Sequence, residues 1–224
     1  MAKFSRIEVI TRMQDTGIIP IFYHSDPEVC RNVISACYKG GINIFEFTNR
    51  GDFAHELFSE LSKWVVRELP GMMMGSGSIV DPATASLYIQ LGANFIVSPI
   101  LNPEMSKVCN RQKILWIPGC GSVSEISYAE ELGAEFVKIF PGMPVGGPAF
   151  IKAVKGPCPW SSIMPTGGVD TTLENLKGWF DAGASCVGIG SNLISSDFIR
   201  NKDWDALSAK VAETLNIVRA VRKK

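Results

Sequence analysis

Short apolar runs recur along the chain and predict most of its strands. Four of them begin with a glycine in the first or second position and continue as apolar runs, at residues 40–47, 91–99, 132–140 and 182–190. A glycine after a helix supplies a left-handed C-cap, and the apolar run behind it is typical of a short buried strand. Four further apolar segments alternate with these and are also predicted strands, at residues 18–24, 71–78, 114–118 and 162–168.

Helical patterns fill the gaps between these strands. Apolar residues recur at i, i+3, i+4 and i+7 in the stretches 26–40, 52–69, 81–92 and 122–133. Asp26 followed by Pro27 predicts an N-cap with proline at the first helical position. Ser122 with Glu125 fits a capping box.

Eight strands that alternate with helices predict a parallel sheet with helices on its apolar faces. A doubly wound open sheet fits the same alternation, but eight regular units in 224 residues favour a closed (β/α)8 TIM barrel with an extra N-terminal helix. The stretch 204–224 predicts a further helix that closes the barrel base or packs against it. Because no linker or change in composition interrupts the chain, we expect residues 1–224 to form one domain.

Composition excludes several classes of protein. With 46% hydrophobic residues the chain is not disordered, and 22 basic against 22 acidic residues give no reason to expect nucleic acid or a membrane surface as partner. Neither a membrane-spanning run nor a signal peptide is recognisable. The six cysteines are scattered without a CxxC motif, so we expect small core residues, reduced thiols and a cytoplasmic location.

Histidine is scarce, since only His24 and His55 are present. A metal-dependent aldolase or epimerase would need two or more histidine ligands together with carboxylates. The scarcity therefore argues against a metal site and disfavours an isomerase of barrel type. No residue pattern in the chain implies an organic cofactor either.

Charges within the predicted strands indicate a functional site. Glu46 lies in the second strand, Arg50 just beyond its end, and Lys138 in the sixth strand between Phe136 and Phe140. Active sites of barrels lie at the C-terminal ends of the strands, where these three groups converge. A lysine–glutamate pair that merely satisfies itself in the core is the alternative, but burying two ions is weak evidence for stability.

These three residue types suit chemistry on an α-keto acid. A lysine among apolar side chains is disfavoured as an ammonium ion, which frees the amine to form a Schiff base with a carbonyl. A carboxylate beside it moves protons, and an arginine binds a substrate carboxylate through two parallel hydrogen bonds.

Glycine-rich segments follow the seventh and eighth strands. Barrel loops at these positions often bind phosphate through backbone N–H groups. The candidate phosphate-binding residues are Thr166, Gly167, Gly168, Gly190 and Ser191. Ordinary tight turns are the alternative interpretation.

Read in order, seven segments resemble the class I KDPG/KHG aldolases, which act on 2-dehydro-3-deoxy-6-phosphogluconate (KDPG) and 4-hydroxy-2-oxoglutarate (KHG). They are GGINIFEFTNR, GSGSIVDP, ANFIVSP, IPGCGSVSE, EFVKIFPG, MPTGGV and IGSNL, from residue 40 to residue 193, and the resemblance as a whole covers about residues 18–195. The resemblance implies that Lys138 forms the Schiff base and Glu46 is the general acid/base. It further implies that Arg50 and Ser78 hold the pyruvate carboxylate, that Pro99 and Phe140 line the pocket, and that the glycine-rich loops surround a phosphate.

The resemblance also implies a homotrimer and cleavage of KDPG to pyruvate and glyceraldehyde 3-phosphate. The chain departs from the family pattern E-V-T-L-R-T at Asn49 and Gly51, which changes polarity and flexibility beside Arg50. Ser78 replaces a threonine but keeps the hydroxyl. An aldolase for KHG or another 2-keto-3-deoxy acid, and a non-catalytic barrel that binds phosphosugars, remain open alternatives.

Overall fold

The structure, a computed structural model, describes residues 2–222. The strands in this range are β1 (Ile18–Phe22), β2 (Ile44–Thr48), β3 (Met73–Gly77), β4 (Phe95–Val97), β5 (Leu115–Ile117), β6 (Gly119–Cys120), β7 (Val137–Ile139), β8 (Ile163–Pro165) and β9 (Val187–Ile189). The helices are α1 (Arg6–Thr16), α2 (Pro27–Lys39), α3 (Ala54–Glu68), α4 (Pro82–Gln90), α5 (Pro103–Gln112), α6 (Val123–Glu131), α7 (Gly147–Lys155), α8 (Leu173–Asp181), α9 (Ser196–Asn201) and α10 (Trp204–Arg222).

The strands close into a parallel barrel. Hydrogen bonds order them as β5-β4-β3-β2-β1-β9 and as β6-β7-β8. At one junction, β5 and β6 are two halves of the fifth barrel strand, separated only by Pro118. At the other, Ser185 N donates to Ile163 O at 2.8 Å and Thr166 bridges Gly188, which joins β8 to β9. The ring confirms the predicted (β/α)8 barrel over the open sheet.

Local signals in the sequence fix the ends of several helices. Most strands lie within their predicted segments, but β2 extends one residue beyond 40–47, to Thr48, and β6 follows the segment 114–118. The side chain of Asp26 caps α2 by accepting a hydrogen bond from Glu28 N at 2.8 Å. Ser122 Oγ likewise accepts from Glu125 N at 3.2 Å. The reciprocal bond of the predicted capping box is displaced by one residue, because the Glu125 carboxylate accepts from Gly121 N. Residues 223 and 224 of the predicted C-terminal helix lie outside the described range.

The N-terminal helix α1 closes the base of the barrel. Its first residue, Arg6, donates through Nη2 to Asn110 Oδ1 at 2.8 Å and to Ile114 O at 2.7 Å, where the chain enters β5. Arg6 Nη1 also pairs with Glu135 at 3.2 Å. The other additional helix, α10, packs on the outside against α2 and α8. Both extra helices therefore lie away from the C-terminal ends of the strands.

The interior is apolar and includes most of the cysteines. All six cysteines are free thiols, and all except Cys158 are buried, as predicted for small core residues. Burial raises the pKa of Cys37 and of Cys186 to about 12. Among the helices of residues 2–222, none combines the length and apolarity needed to cross a membrane.

We predict that Arg6→Lys destabilises the fold without changing the chemistry at the opposite end of the barrel. Lysine cannot reproduce the fork of hydrogen bonds to Asn110 and Ile114, so the free energy of unfolding should fall by about 1.5–3 kcal/mol. Urea unfolding measures it. In the control Arg200→Lys, an exposed ion pair with Asp197 is weakened, and the change should stay below about 0.5 kcal/mol. Equal changes in both variants would contradict the role given to Arg6.

Candidate active site

Lys138 lies at the middle of β7, inside the barrel. Its neighbours in the sheet are Gly119 on β6 and Met164 on β8. The residue is only 5% exposed. Its Nζ lies 4.8 Å from the centre of the Phe140 ring, so the one predicted pocket-lining aromatic covers the amine directly. The strand thus holds a lysine amine in an apolar setting at the mouth of the barrel.

Glu46 occupies the corresponding position on β2, the second barrel strand, across the barrel from the sixth. It is 1% exposed, and neither carboxylate oxygen has a hydrogen-bond partner within residues 2–222. The neighbouring strand makes room for this carboxylate. A Cβ atom on Gly77 would lie 1.8 Å from Glu46 Oε1. The absence of a side chain at Gly77 is therefore what allows the carboxylate to lie where it does.

Burial and the charges of Lys138, Glu46 and Arg50 together shift the pKa values of the lysine and the glutamate. Burial lowers the pKa of Lys138 and raises that of Glu46, because it penalises the charged form of each. The two side chains form no direct ion pair, but each favours the charge of the other. Arg50 lowers the pKa of both groups, and so favours a neutral lysine and an ionised glutamate. For Lys138 this adds to the effect of burial, whereas for Glu46 it opposes burial, which is the larger influence and keeps the pKa of Glu46 raised.

Arg50 and Ser78 meet beyond the ends of β2 and β3. Arg50 Nε donates to Ser78 Oγ at 3.1 Å, and the outer guanidinium nitrogens have no partner in the described chain. Pro99 lies on a third side, where its carbonyl group packs against Gly119, the sheet neighbour of Lys138. The structure therefore brings these three predicted residues to the same end of the barrel as Lys138 and Glu46.

The predicted phosphate loops lie side by side after β8 and β9. The bridge between Thr166 and Gly188 joins the end of β8 to the middle of β9. Gly167 and Gly168 have φ values of 94° and 81°, which residues with a side chain rarely adopt. The loop that follows β7 packs on them, since Met143 N donates to Gly167 O at 3.1 Å.

Hydrogen bonding in these loops leaves backbone donors available. The carbonyl oxygens of Thr166, Gly167, Gly168 and Val169 all accept hydrogen bonds, from Gly142 N, Met143 N, Asn175 Nδ2 and Asn192 Nδ2 respectively. By contrast, the N–H groups of Gly168 and Ser191 have no acceptor in the part of the chain described. Unpaired N–H groups beside occupied carbonyls suit an anion.

Some features around this site were not predicted from the sequence. Gly77 was given no role, although a glycine inside a strand often marks a close approach by another group. Tyr88, on α4, donates to Asn49 Oδ1 at 3.0 Å and so contacts the segment that carries Arg50. A cavity of about 460 Å³ between the N-terminal segment and the C-terminal ends of α3 and α4 contains none of the predicted site residues.

The two histidines belong to segments that follow β1 and β2: His24 lies between β1 and α2, and His55 lies in the first turn of α3. His24 Nδ1 accepts a hydrogen bond from Asp26 N at 3.0 Å and so belongs to the turn before α2. Across residues 2–222, no group of three or more His, Cys, Asp or Glu side chains is arranged to hold a metal ion.

Comparison with known proteins gives a consistent result. The family model "KDPG and KHG aldolase" matches residues 9–210. A 2-dehydro-3-deoxy-phosphogluconate aldolase from Haemophilus influenzae is 26% identical over 212 residues, covering 95% of this chain and 97% of the relative. A KHG/KDPG aldolase from Escherichia coli is 26% identical over 199 residues, covering 88% of this chain and 90% of its own.

Among solved structures, a KDPG aldolase from Legionella pneumophila, crystallised with pyruvate captured as a covalent carbinolamine intermediate, superimposes with a TM-score of 0.80. It is 25% identical, and the match covers 91% of this chain and 96% of that one. The extent of the family match, the closed barrel and the order of the motifs agree. The chain belongs to the KDPG and KHG aldolase family, whose members are carbon–carbon lyases.

Proposed function

We propose that the chain is a class I aldolase that cleaves KDPG reversibly to pyruvate and glyceraldehyde 3-phosphate. The observation that carries the proposal is the buried Lys138 amine, placed in one barrel mouth with the Glu46 carboxylate and the Arg50 guanidinium. The pyruvate captured covalently in the related Legionella protein supports the same chemistry. Of the two substrates in the family name, the phosphorylated one fits the loops after β8 and β9.

In the first step, neutral Lys138 attacks the C2 carbonyl carbon of the substrate. A carbon–nitrogen bond forms, the carbonyl oxygen takes up a proton, and the resulting carbinolamine loses water to give an iminium ion. The lowered pKa of Lys138 supplies the unprotonated amine that this attack needs. The positive iminium nitrogen then accepts the electron pair released in the next step.

In the second step, Glu46 removes the proton from the C4 hydroxyl, through a water molecule. The C3–C4 bond breaks and the aldehyde leaves. The electron pair of the broken bond stays with C3 and moves to the iminium nitrogen, which gives an enamine. Return of a proton to C3 and addition of water release pyruvate and regenerate the amine. Because Glu46 has no hydrogen-bond partner within residues 2–222, its carboxylate is available for this proton transfer.

The two ends of the substrate bind at different places in the barrel mouth: the carboxylate at Arg50, and the phosphate at the loops after β8 and β9. The free nitrogens of Arg50 form a fork that suits the planar keto-acid carboxylate, with Ser78 holding the guanidinium from behind. Phe140 and Pro99 supply apolar walls. At the far end, the N–H groups of Gly168 and Ser191 bind the phosphate without help from a lysine or arginine, since neither loop contains one.

We also propose a cytoplasmic location and a homotrimeric assembly for the enzyme. Six free thiols suit a reducing compartment, which favours the cytoplasm. Assembly as a homotrimer rests on the family resemblance.

We predict that borohydride in the presence of pyruvate will inactivate the protein and add a pyruvate-derived mass to the peptide containing Lys138. Lys138→Arg should abolish both effects, because a guanidinium keeps the charge but cannot form the imine. In the control Lys107→Arg, an exposed residue paired with Glu104 is changed and labelling should persist. Labelling of Lys107 or Lys113 with Lys138 untouched would contradict the assignment, and no labelling at all would favour a non-catalytic barrel.

We predict that Glu46→Gln will lower activity at every pH but will change stability in a way that depends on pH. The value of kcat should fall by about 10²–10⁴-fold, the usual contribution of general acid–base catalysis. A raised pKa means that folded Glu46 binds its proton more tightly than the unfolded chain does, so wild-type stability falls as pH rises through the raised pKa. The Glu46→Gln variant has no carboxylate to ionise at this position, so its stability does not fall with pH for this reason. Its free energy of unfolding relative to wild type should be larger at about pH 8 than at about pH 4.

Steady-state kinetics and urea unfolding across pH measure these two effects. Glu104→Gln, at an exposed carboxylate on α5, is the matched control and should change neither. A Glu46→Gln enzyme with wild-type kcat would show that another group is the base.

We predict that the 6-phosphate will be preferred over its dephosphorylated analogue, measured as kcat/KM for each. Ser191→Asp places a negative charge at the candidate phosphate site, and should reduce kcat/KM for the phosphorylated substrate about 10- to 100-fold while sparing the analogue. Ser191→Asn has the same shape without the charge and should keep the preference. Equal kcat/KM values for both substrates in wild type would remove the phosphate site. Activity on KHG would then favour the aldolase that the Escherichia coli relative's name describes.

A further inference from the structure

The two residues that flank Arg50 are each held by a tyrosine. Asn49 Oδ1 accepts a hydrogen bond from Tyr88 Oη at 3.0 Å. On the other side, the Tyr23 hydroxyl lies so close to Gly51 that a Cβ atom there would be 2.0 Å from its oxygen. Asn49 and Gly51 are two of the positions at which the sequence departs from its family pattern. The structure therefore gives a partner to both departures, instead of the flexibility expected from the sequence.

Both tyrosines belong to a continuous row of rings. Tyr23 meets Phe47 edge-on at 5.5 Å, Phe47 lies 5.7 Å from Phe58, and Phe58 meets Tyr88 at 5.0 Å between ring centres. The rings of Phe47, Phe58 and Tyr88 are fully buried. This aromatic row joins the outer side of β2 to α3 and α4, and so anchors both tyrosines in the core.

We infer that Tyr88, through Asn49, and Tyr23, through its packing against Gly51, are positioning residues that fix the backbone of residues 49–51 and thereby the direction of Arg50. Main-chain bonds tie the segment at its start, from Asn49 N to Gly77 O at 2.9 Å and from Arg50 N to Thr48 O at 3.0 Å, and at its end, where Gly51 O accepts from Ala54 N at 3.2 Å. None of these bonds restrains the Asn49 side chain or the outer face of Gly51, which the two tyrosines contact. The inference rests on the proposed function, in which Arg50 binds the keto-acid carboxylate. Neither tyrosine touches the reacting atoms in this scheme.

The direction of the Arg50 fork matters because its carboxylate contact is bidentate. Two parallel hydrogen bonds require the guanidinium plane to be held, whereas a point charge does not. Arg50 is exposed, and its side chain is otherwise restrained only by the bond from Nε to Ser78 Oγ. Fixing the backbone from the protected outer side of the barrel restricts the arginine without crowding the mouth.

The test is Tyr88→Phe, which removes the hydroxyl and keeps the ring in the aromatic row. The readout is the pyruvate concentration that gives half-maximal inactivation by borohydride. It should rise about 3- to 10-fold, as expected for loss of one hydrogen bond, while kcat for cleavage at saturating substrate changes less than about 2-fold. Asn49→Leu removes the acceptor and should have the same effect. The double variant should add nothing further.

Tyr38→Phe is the matched control, because Tyr38 Oη also donates one hydrogen bond, to Pro70 O at 2.8 Å, away from Arg50. It should leave pyruvate binding unchanged even if stability falls. An unchanged half-maximal concentration in Tyr88→Phe and Asn49→Leu overturns the inference. If Tyr88→Phe does not fold, Asn49→Leu against the Tyr38→Phe control decides the question.

Arg50→Lys, measured in parallel, separates this inference from the proposed function. Weaker pyruvate binding in Arg50→Lys with none in Tyr88→Phe overturns only the positioning role. Unchanged binding in both variants overturns the assignment of Arg50 to the carboxylate, and the positioning role with it.

Discussion

The burial of a lysine amine opposite a glutamate carboxylate is the constraint on which this site depends. Removing either group from water opposes its charge, and the attraction between Lys138 and Glu46 offsets this only in part, as the directions of both pKa shifts indicate. Arg50 acts in one direction on both groups, because its positive charge favours loss of a proton from each. This adds to the effect of burial on Lys138 and opposes it on Glu46, whose pKa remains raised. Exposing the pair would let water restore ordinary pKa values, and Lys138 would then be an ammonium ion without a free electron pair.

The barrel supplies the geometry that this constraint needs. Lys138 and Glu46 lie on strands whose neighbours hold them by backbone hydrogen bonds on both sides, so neither group depends on a loop for its position. Arg50 lies beyond the end of a strand and requires anchoring from elsewhere. The contacts of Arg6 close the opposite end of the barrel. Contacts that stabilise the fold, such as those of Arg6, therefore lie at one end of the barrel, and the residues proposed for the chemistry lie toward the other.

The sequence predicted the barrel and its charged residues because both leave a local signal. Glycines before apolar runs mark the strands, and Glu46 and Lys138 stand out as charges where a strand should be apolar. Contacts between distant segments leave no such signal. Tyr88 reads as one more apolar position on α4, and its bond to Asn49 spans 39 residues.

The same limit explains two other differences. Glu125 satisfies the predicted capping-box pattern, yet its carboxylate accepts from Gly121 N at 2.8 Å, one residue before the N-cap. Met143 packs so tightly on Gly168 that a Cβ atom there would lie 1.9 Å from its Cγ, a contact between loops that no spacing rule encodes.

Three strand glycines give the mouth a further property. Cβ atoms on Gly77, Gly119 and Gly188 would lie 1.8 Å from Glu46, 2.2 Å from the Pro99 carbonyl oxygen and 2.5 Å from Thr166 Oγ1 respectively. Every amino-acid replacement of a glycine adds atoms, so each replacement at these positions would press on one of those three neighbours. The number of positions at which an inherited missense change would disturb the mouth is therefore larger than the set of residues that contact a substrate, and these three glycines carry no functional group that would reveal them.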